Sequence, residues 1–335
     1  MSTAKNYAYL VGRVRVLERG LLTPRILDAL LRAEDLEQAL RVVAEIPYLG
    51  EAFQGIVLNP QSIDRVLNEH FSGIVGDFAK EKEGEDVAGF FLLTFDTTAL
   101  KLAVKHFMLR KPLEKTYLAS FDPRKVIRFL SGEGSEYFPE HLVQTLREIQ
   151  ELLESHPGNV QGVEFICDRF FLKGTYNLAK RMQGPLQKWY YLYIIFAYLR
   201  SAFRARYQER KPDTLRLLYF DNTLLGEKEL LEMLSLSDEK IPEYLEHLGF
   251  AFVLPEAGAF RNDPYYIAEV ERKMDNYLLS FLRQHRWETF GPEPIFGFLF
   301  AKFIDMKNLR ILLEGKYFGL EGDVLRRKLR ECYYE

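Results

Sequence analysis

Leu100-Lys101-Leu102-Ala103-Val104-Lys105 returns as Leu199-Arg200-Ser201-Ala202-Phe203-Arg204 and again as Leu309-Arg310-Ile311-Leu312-Leu313-Glu314. The pattern is leucine, cation, any residue, a small residue or leucine, an apolar residue, a charged one. The steps are 99 and 110 residues. One match of this kind is cheap in a chain rich in Leu and Arg. A second element in step with the first makes it informative. Ile63-Asp64-Arg65-Val66-Leu67 recurs as Val163-Glu164-Phe165-Ile166-Cys167 and as Val270-Glu271-Arg272-Lys273-Met274, and lies 37, 36 and 39 residues ahead of the respective leucine. A third element leads each unit: Leu22-Thr23-Pro24, Phe121-Asp122-Pro123 and Leu225-Gly226-Glu227. Self-similarity at a fixed period governs every later reading of a fold. The sequence therefore divides into three units, 1–118, 119–219 and 220–335.

Apolar spacing is helical throughout. Ile26, Leu27, Leu30 and Leu31 form one stripe, and Leu142, Val143, Leu146, Ile149, Leu152 and Leu153 another. Strict alternation is absent, so the expected class is all-α: three helical bundle repeats. Thr23-Pro24, Asn59-Pro60, Asp122-Pro123 and Asp263-Pro264 each place a capping side chain before a proline, which loses no hydrogen bond in a first turn. Asn59 and Asn159 stand four residues before Ile63 and Val163, while Asp263 stands seven before Val270. The third unit is thus expected to carry an extra turn. Lys111-Pro112 and Lys211-Pro212 close the first two units, and Gly315 and Gly319 punctuate the third. Residues 250–262 read as a non-helical insertion, with a short hairpin as one form it could take.

With 335 residues, 47% of them hydrophobic, the chain can bury a large core. A net charge of −3 argues against nucleic-acid binding as the main role. Cys167 and Cys332 make no disulfide framework. The opening residues do not read as a signal peptide, and the longest apolar run, Trp189 to Leu199, is too short to cross a bilayer. A cytoplasmic protein without direct membrane insertion is expected.

No catalytic constellation stands out. The six histidines (His70, His106, His141, His156, His247, His285) are scattered, with no i, i+3 or i+4 pair to hold a metal. Phosphate-loop, dinucleotide and nucleophile-elbow motifs are absent, so no cofactor and no ATP binding are expected. Ser237-Asp238-Glu239-Lys240 matches S-x-x-K but reads as a helix cap with acids near the start. Gly132-Glu133-Gly134-Ser135 reads as a turn between helices. The aromatic run Trp189, Tyr190, Tyr191, Tyr193, Phe196, Tyr198 reads as core with hydroxyls at its rim, rather than a ligand box. The basic run Arg200, Arg204, Arg206, Arg210, Lys211 reads either as a solvated face or as a surface for an anionic partner. Leu100, Leu199 and Leu309 are expected in the cores of their bundles. The candidate partner-binding or inter-helix ion-pair residues are Lys101, Lys105, Arg200, Arg204 and Arg310. The bland form of that expectation pairs each repeated cation with an acid of its own unit, such as Asp64, Glu164 or Glu271.

The opening Tyr7-Ala8-Tyr9-Leu10-Val11-Gly12-Arg13-Val14-Arg15-Val16 resembles the start of the C subunits of prokaryotic V-type (A-type) ATPases, the counterparts of the eukaryotic d subunits. Phe95-Asp96 through Leu100-Lys101 to Arg110-Lys111-Pro112, Leu199 to Phe203, Asn308-Leu309-Arg310 and Lys316-Tyr317-Phe318-Gly319-Leu320 agree with it. Asp96 and Asp305 stand four residues before their leucines, whereas the second unit has Ile195 there. The resemblance implies a funnel of three units about a pseudo-threefold axis. It also implies a non-catalytic subunit, peripheral to the membrane, that links central-stalk subunits to the proteolipid rotor ring. A helical-repeat scaffold for another protein and an all-α enzyme using Asp96 and Asp305 are the other two readings.

Overall fold

The computed structural model describes residues 7–111, 113, 118–133, 138–210, 212–255, 263 and 265–334. Among them, fifteen α-helices follow in chain order: α1 Ala8–Leu17, α2 Pro24–Arg32, α3 Leu36–Ala44, α4 Pro60–Ala79, α5 Gly84–Leu109, α6 Pro123–Leu130, α7 Glu140–Ser155, α8 Val160–Arg181, α9 Gly184–Tyr207, α10 Pro212–Arg216, α11 Glu227–Ser235, α12 Ile241–His247, α13 Tyr266–Gln284, α14 Glu293–Tyr317 and α15 Gly322–Lys328. No strand occurs among the described residues. Pro112, Gly134, Ser135, Lys211, Pro264 and residues 256–262 of the expected insertion lie outside the described residues. The part of that insertion that is described, Ala251–Val253, is a 3₁₀ turn.

The start signals act as the sequence implies. Thr23 accepts from the Ile26 N–H, Asn59 from Ser62, Asp122 from Arg124 and Asn159 from Gly162, at 2.8–3.4 Å. Each fills one of the unbonded N–H groups of a first turn. Asp263 departs from this. It accepts from the Tyr265 N–H at 2.9 Å and lies outside α13, which begins four residues before Val270. The extra turn expected there is therefore not formed: Asp263 folds its own loop and pairs with Arg327.

The three long helices α5, α9 and α14 end alike. Arg110, Glu209 and Gly319 have φ of 51°, 53° and 69°. Each stands ten residues after a repeated leucine. The following N–H groups of Lys111, Arg210 and Leu320 donate to the carbonyls of His106, Ala205 and Gly315 at 3.1, 2.8 and 2.8 Å. Arg110, Glu209 and Gly319 themselves donate to Phe107, Arg206 and Lys316. This double bond pattern with a left-handed residue is the Schellman end, which satisfies carbonyls that the helix leaves open. One of the three uses glycine; the other two tolerate a side chain in that conformation, at a cost of about 1 kcal/mol each.

The chain groups into two compact units, residues 1–88 with 245–335, and residues 89–244. In the first, α14 is the axis. Its charged residues gather on no one face and it is buried along most of its length, as a central helix must be. It packs on α4, α13, α3 and α1. Phe298 and Phe303 meet Phe78 and Phe71 of α4 at ring distances of 6.0 and 5.8 Å. In the second unit, α9 packs on α8 and α11. The second half of α5 brings Leu100, Ala103 and Val104 into one cluster with Val126 of α6, Leu146 of α7 and Val163 of α8.

All three repeated leucines are fully buried. The expectation that Leu100 lies in its own unit's bundle needs correction, since its neighbours belong to the next stretch of chain. The reason is geometric. A helix of 26 residues is about 39 Å long at 1.5 Å per residue. It meets the helices that follow from near its start, where Phe90 packs on Phe171 of α8 and on Trp189 of α9, and from residue 89 on it groups with them.

By length and composition α5 is also able to cross a membrane, although half of its most apolar window is buried within the protein. Trp189–Leu199 is the longest unbroken apolar run, but mean hydropathy over a longer window favours α5. That average tolerates Thr94, Asp96, Thr97 and Thr98, which interrupt its apolar residues.

Candidate functional site

The carboxylates that could have supported catalysis are tethers. Asp96 on α5 accepts from the Ser120 N–H at 2.6 Å and from its hydroxyl at 2.7 Å. Ser120 directly precedes the lead element of the second unit. Burial raises the Asp96 pKa, and the Ser120 bonds oppose the rise. Asp305 on α14 accepts from the Leu22 N–H at 2.9 Å, within the lead element of the first unit. One turn earlier, Lys302 donates to the Gly20 carbonyl at 2.6 Å. Two buried side chains thus grip the two ends of the Gly20–Leu22 segment. Burial pushes Asp305 up to about 7, partly offset by Lys302 and the Leu22 N–H, and drives Lys302 down. Ile195 breaks this pattern on α9, and the lead segment of the third unit is held differently. Asn222 Oδ1 accepts from the N–H groups of Leu224 and Leu225 at 2.8 and 3.2 Å.

Lys101 and Arg310, two of the repeated cations, make ion pairs across helices. Lys101 Nζ lies 2.8 Å from Glu164 and 2.7 Å from Asp168 on α8. Burial works against its charge most strongly, yet the two carboxylates outweigh it and its pKa rises. Asp168 also moves up rather than down, because its burial is the largest influence and Glu164 adds to it. One ammonium serves two acids. Arg310 Nε lies 2.5 Å from Asp64 on α4, and its Nη2 donates to Asn68 at 3.1 Å. Arg200 stacks its guanidinium over the Tyr193 ring at 5.7 Å.

Glu164 and Asp64 are acids that the repeat marks, but not as partners in this combination. Lys101 pairs with the acid of the second unit and Arg310 with that of the first, so for these two cations the expected pairing within one unit is incorrect. The cause is the one that moves Leu100: the long helix leans on the helices of another stretch. Asp168 lies outside the repeated elements and escapes a reading based on them. Its position one turn after Glu164, which places both on one face of α8, is the signal that could have found it. Charge reversal tests the Arg310 pair. Arg310→Glu is expected to lower the melting temperature, and adding Asp64→Arg to restore most of it. The pair is partly exposed, so the change is on the order of 1 kcal/mol.

Lys105 and Arg204, the other two candidates, are exposed. Arg204 also lies near enough to Asp168 to bias its charge. Arg206, part of the same basic run, is buried, pairs with Asp238 and donates to the Met233 carbonyl at 2.8 Å. Within the S-x-x-K match it is therefore Asp238 that has a structural task. It sits in a 3₁₀ turn with Ser237 at the N-cap position and Asp238 and Glu239 in the first turn, as the sequence implies, but the Ser237 side chain makes no capping bond. Trp189, Tyr190, Phe196 and Tyr198 are fully buried, and Trp189 meets Phe90 edge-on at 5.3 Å. The Tyr198 hydroxyl reaches the loop at Phe220 and Asn222. This is a packed core with a polar rim. None of the six histidines is fully buried, and the described residues hold no group of three or more metal-capable side chains.

The chain resembles known proteins along most of its length. The family model described as ATP synthase (C/AC39) subunit matches residues 10–328. The C subunit of a V-type sodium ATPase from Enterococcus hirae is 23% identical, over 92% of this chain and 98% of its own length. The C subunit of an A-type ATP synthase from Methanocaldococcus jannaschii is 21% identical, over 96% of this chain and 86% of its own. Its counterpart in the A-type ATP synthase of Haloferax volcanii is 24% identical, over 98% of this chain and 99% of its own.

Proposed function

We propose that this chain, which belongs to the ATP synthase (C/AC39) subunit family, is a non-catalytic coupling subunit that joins the central stalk of a V/A-type ATPase to its membrane rotor ring and transmits torque between them. The observation that carries the reading is the fixed distance between the three repeated leucines and one kind of helix end, which also closes α6 and α12. Three long helices stop in the same hydrogen-bonded turn, each ten residues after a buried leucine. A coupler needs torsional stiffness, and close-packed helices with fixed ends supply it. The clamps at Asp96 and Asp305 and the pairs at Lys101 and Arg310 add cross-links between distant parts of the sequence. Under this proposal 1–118, 119–219 and 220–335 are three equivalent units of a funnel about a pseudo-threefold axis, and the protein works peripherally to the membrane on its cytoplasmic side. Lys105 and Arg204 are the exposed cations offered to acidic groups of the stalk; Lys101 and Arg310 act inside the subunit.

The test is assembly. An affinity tag on this chain should retain both stalk and ring subunits, and its deletion should leave a ring that no longer holds the stalk. A stalk that stays on the ring without this chain overturns the coupling role. Lys105→Glu should weaken stalk binding about tenfold at low salt and less at high salt, with an unchanged melting temperature, because exposed charges are screened over about 10 Å at 0.1 M.

A further inference from the structure

A cavity of about 350 Å³ opens within the first compact unit, between α2, α13 and the C-terminal segment. Four arginines line it, Arg272, Arg283, Arg326 and Arg330, against the carboxylates of Asp28 and Glu331. Most of this acidity is already in use. Glu331 takes Arg283 at 3.0 Å and Asn276 at 3.2 Å. Arg330 donates to Asp275 at 3.0 Å, and Asp275 also holds Lys307 at 3.1 Å. Asp28 stands 3.7 Å from Arg326, an ion pair without a hydrogen bond. Arg272 is the residue left over: its Nε is buried and has no acceptor among the described residues. A guanidinium cannot shed its proton, so burial does not relieve it by neutralisation. Buried N–H groups almost always find an acceptor, and Arg272, which lines the cavity, carries one without any among the described residues.

We propose that this cavity is a binding site for a small phosphate-bearing anion. A phosphate offers acceptor oxygens in several directions and up to two negative charges, which suits guanidinium forks arriving from α13 and from the C-terminal segment. The volume accommodates a phosphate monoester as readily as inorganic phosphate. The Arg272 position belongs to the thrice-repeated second element, where the other two units carry Arg65 and Phe165. The site goes beyond the coupling role and does not depend on it.

Titration calorimetry on the full chain tests this, with inorganic phosphate in one arm and glycerol 3-phosphate in the other. At least one arm should give a saturable one-to-one isotherm whose affinity falls with added salt; the tighter arm identifies the source. Arg272→Ala should weaken that binding at least tenfold. The Arg272 Nε has no acceptor to lose among the described residues, so the variant should melt as the parent does. Arg326→Ala is the second variant and should weaken binding in the same sense, while Arg41→Ala, on an exposed helix face, should leave it unchanged. Phosphate should raise the melting temperature of the parent and not that of Arg272→Ala. No saturable heat in either arm overturns the proposal, as does unchanged affinity in Arg272→Ala and Arg326→Ala.

Discussion

Leu100→Ala should lower stability by about 2–5 kcal/mol, the cost of emptying a fully buried leucine site that relaxes only in part. Leu199→Ala and Leu309→Ala should fall in the same range. Thermal or denaturant unfolding reads the total. Hydrogen exchange reads where the loss occurs, and that is the sharper test. Leu100 packs with Val126, Leu146 and Val163, so amide protection should fall in α6, α7 and α8. A loss confined to α2–α4 would mean that the long helix is buried against its own predecessors, contrary to the packing described above. An unchanged melting point would place the stripe on the surface.

The pH dependence should carry the signature of Asp305. Its carboxyl is fully buried and its pKa is raised from the ordinary 3.8 to about 7, chiefly by desolvation. Between those values the folded protein binds a proton that the unfolded chain has lost. Stability from this group is therefore complete at low pH, falls as pH rises from about 4 to 7 and is flat above. The full span corresponds to about 4 kcal/mol. His70 acts in the opposite sense. Burial, and secondarily Lys302, lowers it to about 4, so its contribution rises with pH between about 4 and 6.5. The raw profile mixes these with Glu293, which burial also raises to about 7, and with the raised Asp96 and Asp168. Asp305→Asn separates them, because the amide oxygen still accepts from Leu22 while the titration is gone. The stability of Asp305→Asn relative to the parent should improve by several kcal/mol from about pH 4 to about pH 8. Parallel profiles for the two proteins would show that Asp305 does not titrate in this window.

Local structure was legible in the sequence because its causes are local. The caps at Thr23, Asn59, Asp122 and Asn159 act across two or three residues, and each is where its side chain and the following proline or apolar run placed it. The burial of Leu100, Leu199 and Leu309 was legible for a related reason: a 3.6-residue period defines one apolar stripe, and a stripe must be covered. Lys111-Pro112 and Lys211-Pro212 marked where two long helices stop, but the left-handed Arg110 and Glu209 that make those ends were not legible. Neither residue favours a left-handed conformation, and they adopt it because the turn bonds their neighbours. Only Gly319 announced itself. The identity of the ion-pair partners was decided by tertiary structure alone. Lys101 and Glu164 are each ordinary surface charges in sequence, as are Arg310 and Asp64, and nothing within a helix says which of three repeated acids meets which cation. Asp305 and Lys302 look like a routine charged pair one turn apart until the fold buries both against Gly20 and Leu22. Periodicity fixes which face of a helix is apolar; packing between residues far apart in the chain, of α5 on α8 and α9 and of α14 on α4, decides against whom that face is buried.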